Sequence, residues 1–216
     1  MSVNPWRDLR VTPPVAGSLA LFVGISILVV RGVTASWDRA VVLAAGDART
    51  PVLVDLMLGV TLLNEGVIPV IAALGFCLLL WRLGGPRPAL TLFSAAVSGE
   101  ALYVLAKAAF RRPRPDLVEK LSGAGWHSYP SGHTMLAPII WSLGLVLLAR
   151  HAGGAVRAAL LALAVVIPLL MAMSRLVLGV HYPSDVLGAL ALGGAWMFLW
   201  LDASRSPSTS RSPSTM

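Results

Sequence analysis

Three short clusters in this sequence hold side chains able to bind and transfer an anionic group. The first is Lys107 followed by AAFRRPRP. Pro113 and Pro115 lack the N–H a helix needs, so a helix ending here leaves Lys107 on its last turn and Arg114 on the loop just beyond. The second is Pro130, Ser131, Gly132 and His133, running into an apolar stretch. Ser131 is a natural N-cap and Gly132 lets an anion approach the backbone, so the first-turn N–H groups form an anion site beside an imidazole. The third is Ser174, Arg175, His181 and Asp185. Pro183 at a first helical position places Asp185 in the first turn, close to His181. A carboxylate accepting from one ring nitrogen fixes the tautomer and leaves the other nitrogen free to attack.

Each cluster alone has a plainer account. Lys107 can snorkel while the arginines bind lipid head groups, Ser-Gly before a helix is common, and Asp185 can simply cap its helix. None of these explains an imidazole oriented by a carboxylate opposite a second imidazole. A metal site is not expected, because there is no HExxH and no Cys pair, and the cations around the site would repel a metal ion. No other cofactor is implied. His127 and His151 belong to no motif.

The elements that must position these residues are membrane spans. Hydrophobic residues make up 56% of the 216-residue chain and charged ones 12%, with mean hydropathy +0.78, so the surroundings are a bilayer. The net charge of +7 rests on fifteen arginines and two lysines, mostly between apolar runs and without interleaved aromatics. The partners it implies are the bilayer and its lipids, with no nucleic acid. Cys77 is the single cysteine, so no internal disulfide exists.

Since a span takes roughly 20 apolar residues, six are predicted, at about 14–30, 66–81, 89–110, 133–149, 155–173 and 184–201. The fold class is therefore all-α, a six-span transmembrane helical bundle. Residues 36–63 form short amphipathic helices along the interface, because Asp38, Arg39, Asp47, Arg49 and Asp55 interrupt them. The first run is an anchor rather than a cleaved leader, being long for an h-region. Residues 1–203 make one integral membrane domain. Residues 204–216 carry SRSPST twice and are expected to be disordered.

Arg7, Arg10, Arg82, Arg87, Arg150, Arg157, Arg205 and Arg211 fall on one side of such a bundle. Arg31, Arg39, Arg49, Lys107, Arg111, Arg112, Arg114, Lys120 and Arg175 fall on the other. With Arg175 and the cluster from Lys107 to Lys120 set aside as site residues, the positive-inside rule puts both termini in the cytoplasm and the site on the outer face. Glu100 lies seven residues before Lys107, inside a span. It should face the bundle interior and meet a partner. Trp81, Trp126, Trp196 and Trp200 are expected in interfacial belts, and Gly188, Ala189, Gly193 and Gly194 in close helix packing.

Placed at the outer ends of the third, fourth and sixth spans, the three clusters can converge. This arrangement resembles the type 2 phosphatidic acid phosphatase family, whose signature is K-x6-R-P, P-S-G-H and S-R-x5-H-x3-D. Lys107, Arg114 and Pro115 match its first part, Pro130, Ser131, Gly132 and His133 its second, and Ser174, Arg175, His181 and Asp185 its third. Residues 1–88 are similar only in offering two further spans and an amphipathic stretch. The resemblance implies a lipid phosphate phosphatase acting without metal. By it, Lys107, Arg114 and Arg175 clamp the phosphate, aided by the Ser131 hydroxyl and the Gly132 N–H. His181 attacks phosphorus to give a phosphohistidine, Asp185 orients it, and His133 protonates the leaving oxygen and then activates water. Compatible substrates are undecaprenyl diphosphate, phosphatidylglycerophosphate, phosphatidate and diacylglycerol diphosphate, the polyprenyl diphosphate being preferred. A phosphotransferase with the same site and a lipid-phosphate transporter are the alternatives.

Overall fold

The computed structural model describes residues 9–123, 125 and 127–205. The expectations for Arg7, for Trp126 and for the tail from 206 onward lie outside the described residues. Within them are eight helices and no strand: α1 Pro13–Val30, α2 Ala35–Asp47, α3 Pro51–Leu62, α4 Ile68–Gly84, α5 Pro86–Phe110, α6 Gly132–Ala149, α7 Gly154–Val177 and α8 Pro183–Ala203. Proline opens α1, α3, α5 and α8, where its missing N–H costs nothing. Gly85, at φ 79°, supplies the left-handed residue that lets α5 start directly after α4.

Five of these helices, α1 and α5 to α8, are long and apolar enough to cross a bilayer. The predicted second span is also helical, but α4 has only 17 residues and falls short of that length. The predicted fifth span ended at 173, whereas α7 continues to Val177 and carries Ser174 and Arg175 on its final turns. α6 is not uniform. Pro138 has no N–H to return to the preceding turn, and the helix widens to π geometry over Pro138–Ser142. Ser142 Oγ then reaches across to the Ala164 carbonyl of α7 at 2.5 Å.

The core lies between α4, α5, α6 and α8, where Leu80, Leu92, Met135, Ile139, Leu143 and Leu192 are buried. Gly193 lies directly against the Met135 backbone and Gly188 under the Tyr129 ring, so both are packing glycines as expected. Gly194 has only Ser18 Oγ of α1 nearby, at 4.0 Å. Outward faces of α1, α4, α5 and α7 expose Leu21, Ile71, Leu105 and Val165, as a lipid-facing surface requires. Of the tryptophans, Trp81 is exposed as a belt residue should be, but Trp200 is fully buried in the core and Trp196 donates to Ser98 Oγ.

Thr12 Oγ1 donates to Asp202 Oδ2 at 2.6 Å, Arg87 to the Ala203 carbonyl, and Arg150 to Ser204 Oγ. The start of α1, the end of α8 and the α4–α5 and α6–α7 turns therefore share one end of the bundle. The α5–α6 and α7–α8 connections share the other. There α2 and α3 are pulled onto the helix ends: Arg49 Nε donates to the Val177 carbonyl at 2.8 Å, and Asp38 is wholly buried against α8. The charges taken for interruptions of an interfacial helix thus include two inward anchors.

Candidate active site

The residues of the three sequence clusters stand at that second end, on four helix termini and two loops. Lys107, on the last turn of α5, donates to Tyr103 OH at 2.9 Å and sits 4.9 Å over the same ring. α5 stops at Arg111, in the left-handed region at φ 48°, and the chain turns to present Arg112 and Arg114. Arg114 Nε donates to the Gly125 carbonyl and NH1 to the Val180 carbonyl, both at 2.7 Å, so the guanidinium is fixed before any ligand arrives. From that position NH1 lies 3.1 Å from His181 Nε2.

His181, in the α7–α8 loop, has its Nδ1 at 3.3 Å from Asp185 Oδ2. Asp185 also accepts the Tyr182 N–H at 2.8 Å and the Ser128 hydroxyl, so it both caps α8 and orients the imidazole. Burial above all lowers the His181 pKa to about 4, against the opposing pull of Asp185. The ring is thus neutral near pH 7, with Nδ1–H donated and the Nε2 lone pair directed at Arg114. The other carboxylate oxygen of Asp185 takes Arg112 NH1 at 2.6 Å. Burial works against the charge on Arg112, yet Asp185 and Asp38 outweigh it and hold this guanidinium above its ordinary range.

His133 lies on the first turn of α6, within electrostatic reach of Arg175, His181, Lys107 and Arg114. Its Nε2 is buried without a hydrogen-bond partner among the described residues. Arg175 is almost wholly buried, bonded through NH1 to Thr61 Oγ1 and Ser122 Oγ, while its Nε has no such partner. Orphaned buried donors and acceptors are costly, and two of them here belong to residues expected to face a phosphate. Below His133 a cavity of about 550 Å³ runs between α4, α5 and α6, walled by Val70, Leu74, Phe93 and Ile140, with Glu100 and Asn64 on its lining.

Two expectations change in detail. Ser131 occupies the N-cap position, but its hydroxyl pairs with Thr134 Oγ1 at 3.0 Å and caps no N–H. A side chain at Gly132 would meet the Tyr103 ring at 2.6 Å, so this glycine admits an aromatic ring where an approaching anion was expected. Glu100 lines the cavity and meets a partner, Lys107, through charge alone, without a hydrogen bond or salt bridge among the described residues. Sequence reasoning missed Tyr103, Asp38, Ser128, Thr61 and Asn64 as site neighbours, and took Arg112 only as one cation of the cluster between Lys107 and Lys120. Only Tyr103 had a usable signal, four residues before Lys107 and so on the same helical face. No three His, Cys, Asp or Glu side chains among the described residues come together as a metal-ligand set.

This convergence matches known proteins. Residues 88–206 match the model of the PAP2 superfamily. The chain belongs to the PAP2 superfamily. Phosphatidylglycerophosphatase B of Bacillus subtilis is 30% identical over 168 residues, which cover 76% of this chain and 81% of that protein. Lipid A 1-phosphatase of Rhizobium etli is 34% identical over 117 residues, 50% of this chain and 46% of its own length. The solved PAP2-type phosphatidylglycerolphosphate phosphatase of Bacillus subtilis superposes with a TM-score of 0.81 at 25% identity, covering 88% of this chain and 94% of that one. This PAP2 protein is a multi-pass, all-helical membrane phosphatase of the lipid phosphatase type.

Proposed function

We propose that this PAP2 protein hydrolyses a lipid phosphate through a phosphohistidine on His181, without a metal ion. The observation that carries this reading is the line Asp185, His181, Arg114, with 3.3 Å on one side of the ring and 3.1 Å on the other. An imidazole so held is a nucleophile aimed at the place where a phosphate would be neutralised. Lys107, Arg114 and Arg175 bind the non-bridging oxygens, and the Ser131–Gly132–His133 turn borders them. The Nε2 lone pair bonds to phosphorus as the bond to the lipid oxygen breaks, and His133 gives that oxygen a proton. Water then yields a proton to His133 and displaces the phosphate from nitrogen, which restores both rings. A binder or transporter would use the three cations but has no use for an imidazole oriented by a carboxylate.

The apolar cavity beside His133 suits the hydrocarbon of the leaving alcohol. The relative aligned over most of its own length is named for phosphatidylglycerophosphate, so we place that substrate first. A polyprenyl-linked phosphate, polyprenyl diphosphate among them, is the second reading; a decaprenylphosphoryl-5-phosphoribose phosphatase of Mycobacterium tuberculosis, 36% identical over 103 residues that cover 46% of this chain and 52% of that protein, supports the polyprenyl tail. We further propose one domain over 1–203 with six alternating spans, α4 being the short one. The site then faces outward and both termini are cytoplasmic, because Arg87, Arg150 and Arg205 gather at the end opposite the site.

Phosphate release from these lipids in detergent with excess EDTA tests the reading. Turnover should persist and be abolished in His181→Ala. Activity lost in EDTA and regained with Mg²⁺ or Zn²⁺ overturns the metal-free mechanism. A cysteine placed at Gly123 should react with an impermeant reagent from outside. Labelling only from the cytoplasmic side reverses the orientation.

A further inference from the structure

Asp185 orients His181, yet much of its charge is claimed elsewhere. Its Oδ1 receives Arg112 NH1 at 2.6 Å, and the other terminal nitrogen of Arg112 lies 2.7 Å from Asp38 Oδ2. Asp38, on α2, is fully buried and also accepts the Ser184 N–H at 3.0 Å and the Ser184 hydroxyl at 2.6 Å. The Arg112 guanidinium lies 4.2 Å over the Tyr182 ring, which holds it in place. A continuous run of charged and polar groups, His181, Asp185, Arg112, Asp38, therefore joins the nucleophile to a helix outside the matched family region.

Two carboxylates around one guanidinium leave a single net negative charge beside a neutral imidazole. When His181 attacks phosphorus the ring becomes positive, and only a carboxylate not already neutralised can stabilise it. Without Asp38, Arg112 would be paired with Asp185 alone. The buried surroundings make that pairing strong, so the charge facing His181 would fall towards zero. We propose that Asp38 is a positioning residue that keeps Asp185 negative towards His181 by taking up the charge of Arg112. This rests on the phosphohistidine reading of His181. Asp38 does not touch the phosphate site, so its effect belongs to the rate of phosphorylation and not to substrate binding.

The test compares wild type, Asp38→Asn and the double variant Asp38→Asn/Arg112→Gln, with radiolabelled lipid phosphate and rapid acid quench. Asp38→Asn should slow phosphoenzyme formation by about tenfold or more, with KM within about twofold of wild type. The double variant restores the net charge and should recover at least about threefold over Asp38→Asn, although it has lost more bonds. If Asp38 only fastens α2 to α8, the double variant is as impaired as Asp38→Asn or worse, and the proposal is overturned. Should Asp38→Asn fail to fold in detergent, the folded double variant decides alone: a rate within about tenfold of wild type upholds the proposal, and an inert protein overturns it. A wild type that turns over without any phosphoenzyme overturns the reading of His181 and this proposal together. A wild type that phosphorylates at a rate unchanged in Asp38→Asn overturns this proposal alone.

Discussion

Residues 9–87 and 88–205 are both built from apolar helices, yet they spend their few buried polar side chains differently. In the second stretch the buried and half-buried polar side chains include the candidate reacting groups, Lys107, Arg114, His133, Arg175, His181 and Asp185, on the ends of α5 to α8 and the loops between them. In the first stretch they are braces. Asp38 takes up Arg112, Arg49 ties to Val177, Thr61 to Arg175, Asn64 to the His133 carbonyl, and Ser26 to Tyr129 at 2.8 Å. In the reaction proposed above one region supplies the chemistry, and the other holds the reacting groups in place. A phosphoryl-transfer site depends on both, because its catalysis is positioning and charge neutralisation.

The comparison predicts a graded set of losses. Asp185→Asn keeps the shape but gives His181 the wrong hydrogen-bond partner, and should lower kcat by about 10³-fold to 10⁴-fold. A loss below tenfold, read by phosphate release, would place the orienting role elsewhere.

Next in size is the response to pH. The unfolded chain holds the His181 imidazole near its ordinary value of about 6.5, while burial lowers it in the fold to about 4. Protonation therefore favours the unfolded chain, and stability is lost as pH falls from the first value towards the second. His181→Asn lacks this penalty. Its melting temperature in detergent should gain several degrees relative to wild type between pH 7 and pH 4.5. A constant difference contradicts the buried, neutral ring.

The braces should cost less. Asn64 Nδ2 donates to the His133 carbonyl at 2.6 Å while its Oδ1 accepts from Trp141, so Asn64→Ala frees the turn that carries the proposed proton donor. We expect kcat on lipid phosphate to fall by about three- to tenfold, and less on an aryl phosphate whose leaving group needs no proton. Equal losses on both substrates would make Asn64 a general support. Smallest is Ser26→Ala, which removes one hydrogen bond to Tyr129 and should cost about 1 kcal/mol of stability with little change in kcat.

The candidate site residues of the second stretch stood out because the chemistry proposed for them depends on local spacing. His181 and Asp185 are four residues apart across a helix start, and prolines fix where Lys107 and Pro183 stand on their helices. The braces act over long separations, such as the 146 residues between Asp38 and Ser184, and leave no local trace. A lone acid in an apolar stretch therefore looked like a helix interruption. The role of Arg112 was hidden for another reason: in FRRPRP three arginines look alike, and only the fold sets Arg114 beside His181 and Arg112 between two carboxylates. The end of α7 was set too early because Arg175 looks like an end signal. In the fold it is buried against Thr61 and Ser122, and the helix runs on.

The central claim is a covalent phosphohistidine on His181, and the configuration at phosphorus tests it most directly. A lipid phosphorothioate made chiral at phosphorus with sulfur and one heavy oxygen isotope is hydrolysed in water carrying a second heavy oxygen isotope, and the configuration of the product thiophosphate is analysed. Two successive in-line displacements, onto His181 and then onto water, predict retention of configuration. Inversion would mean that water attacks the lipid phosphate directly, and His181 would then be a base rather than the nucleophile.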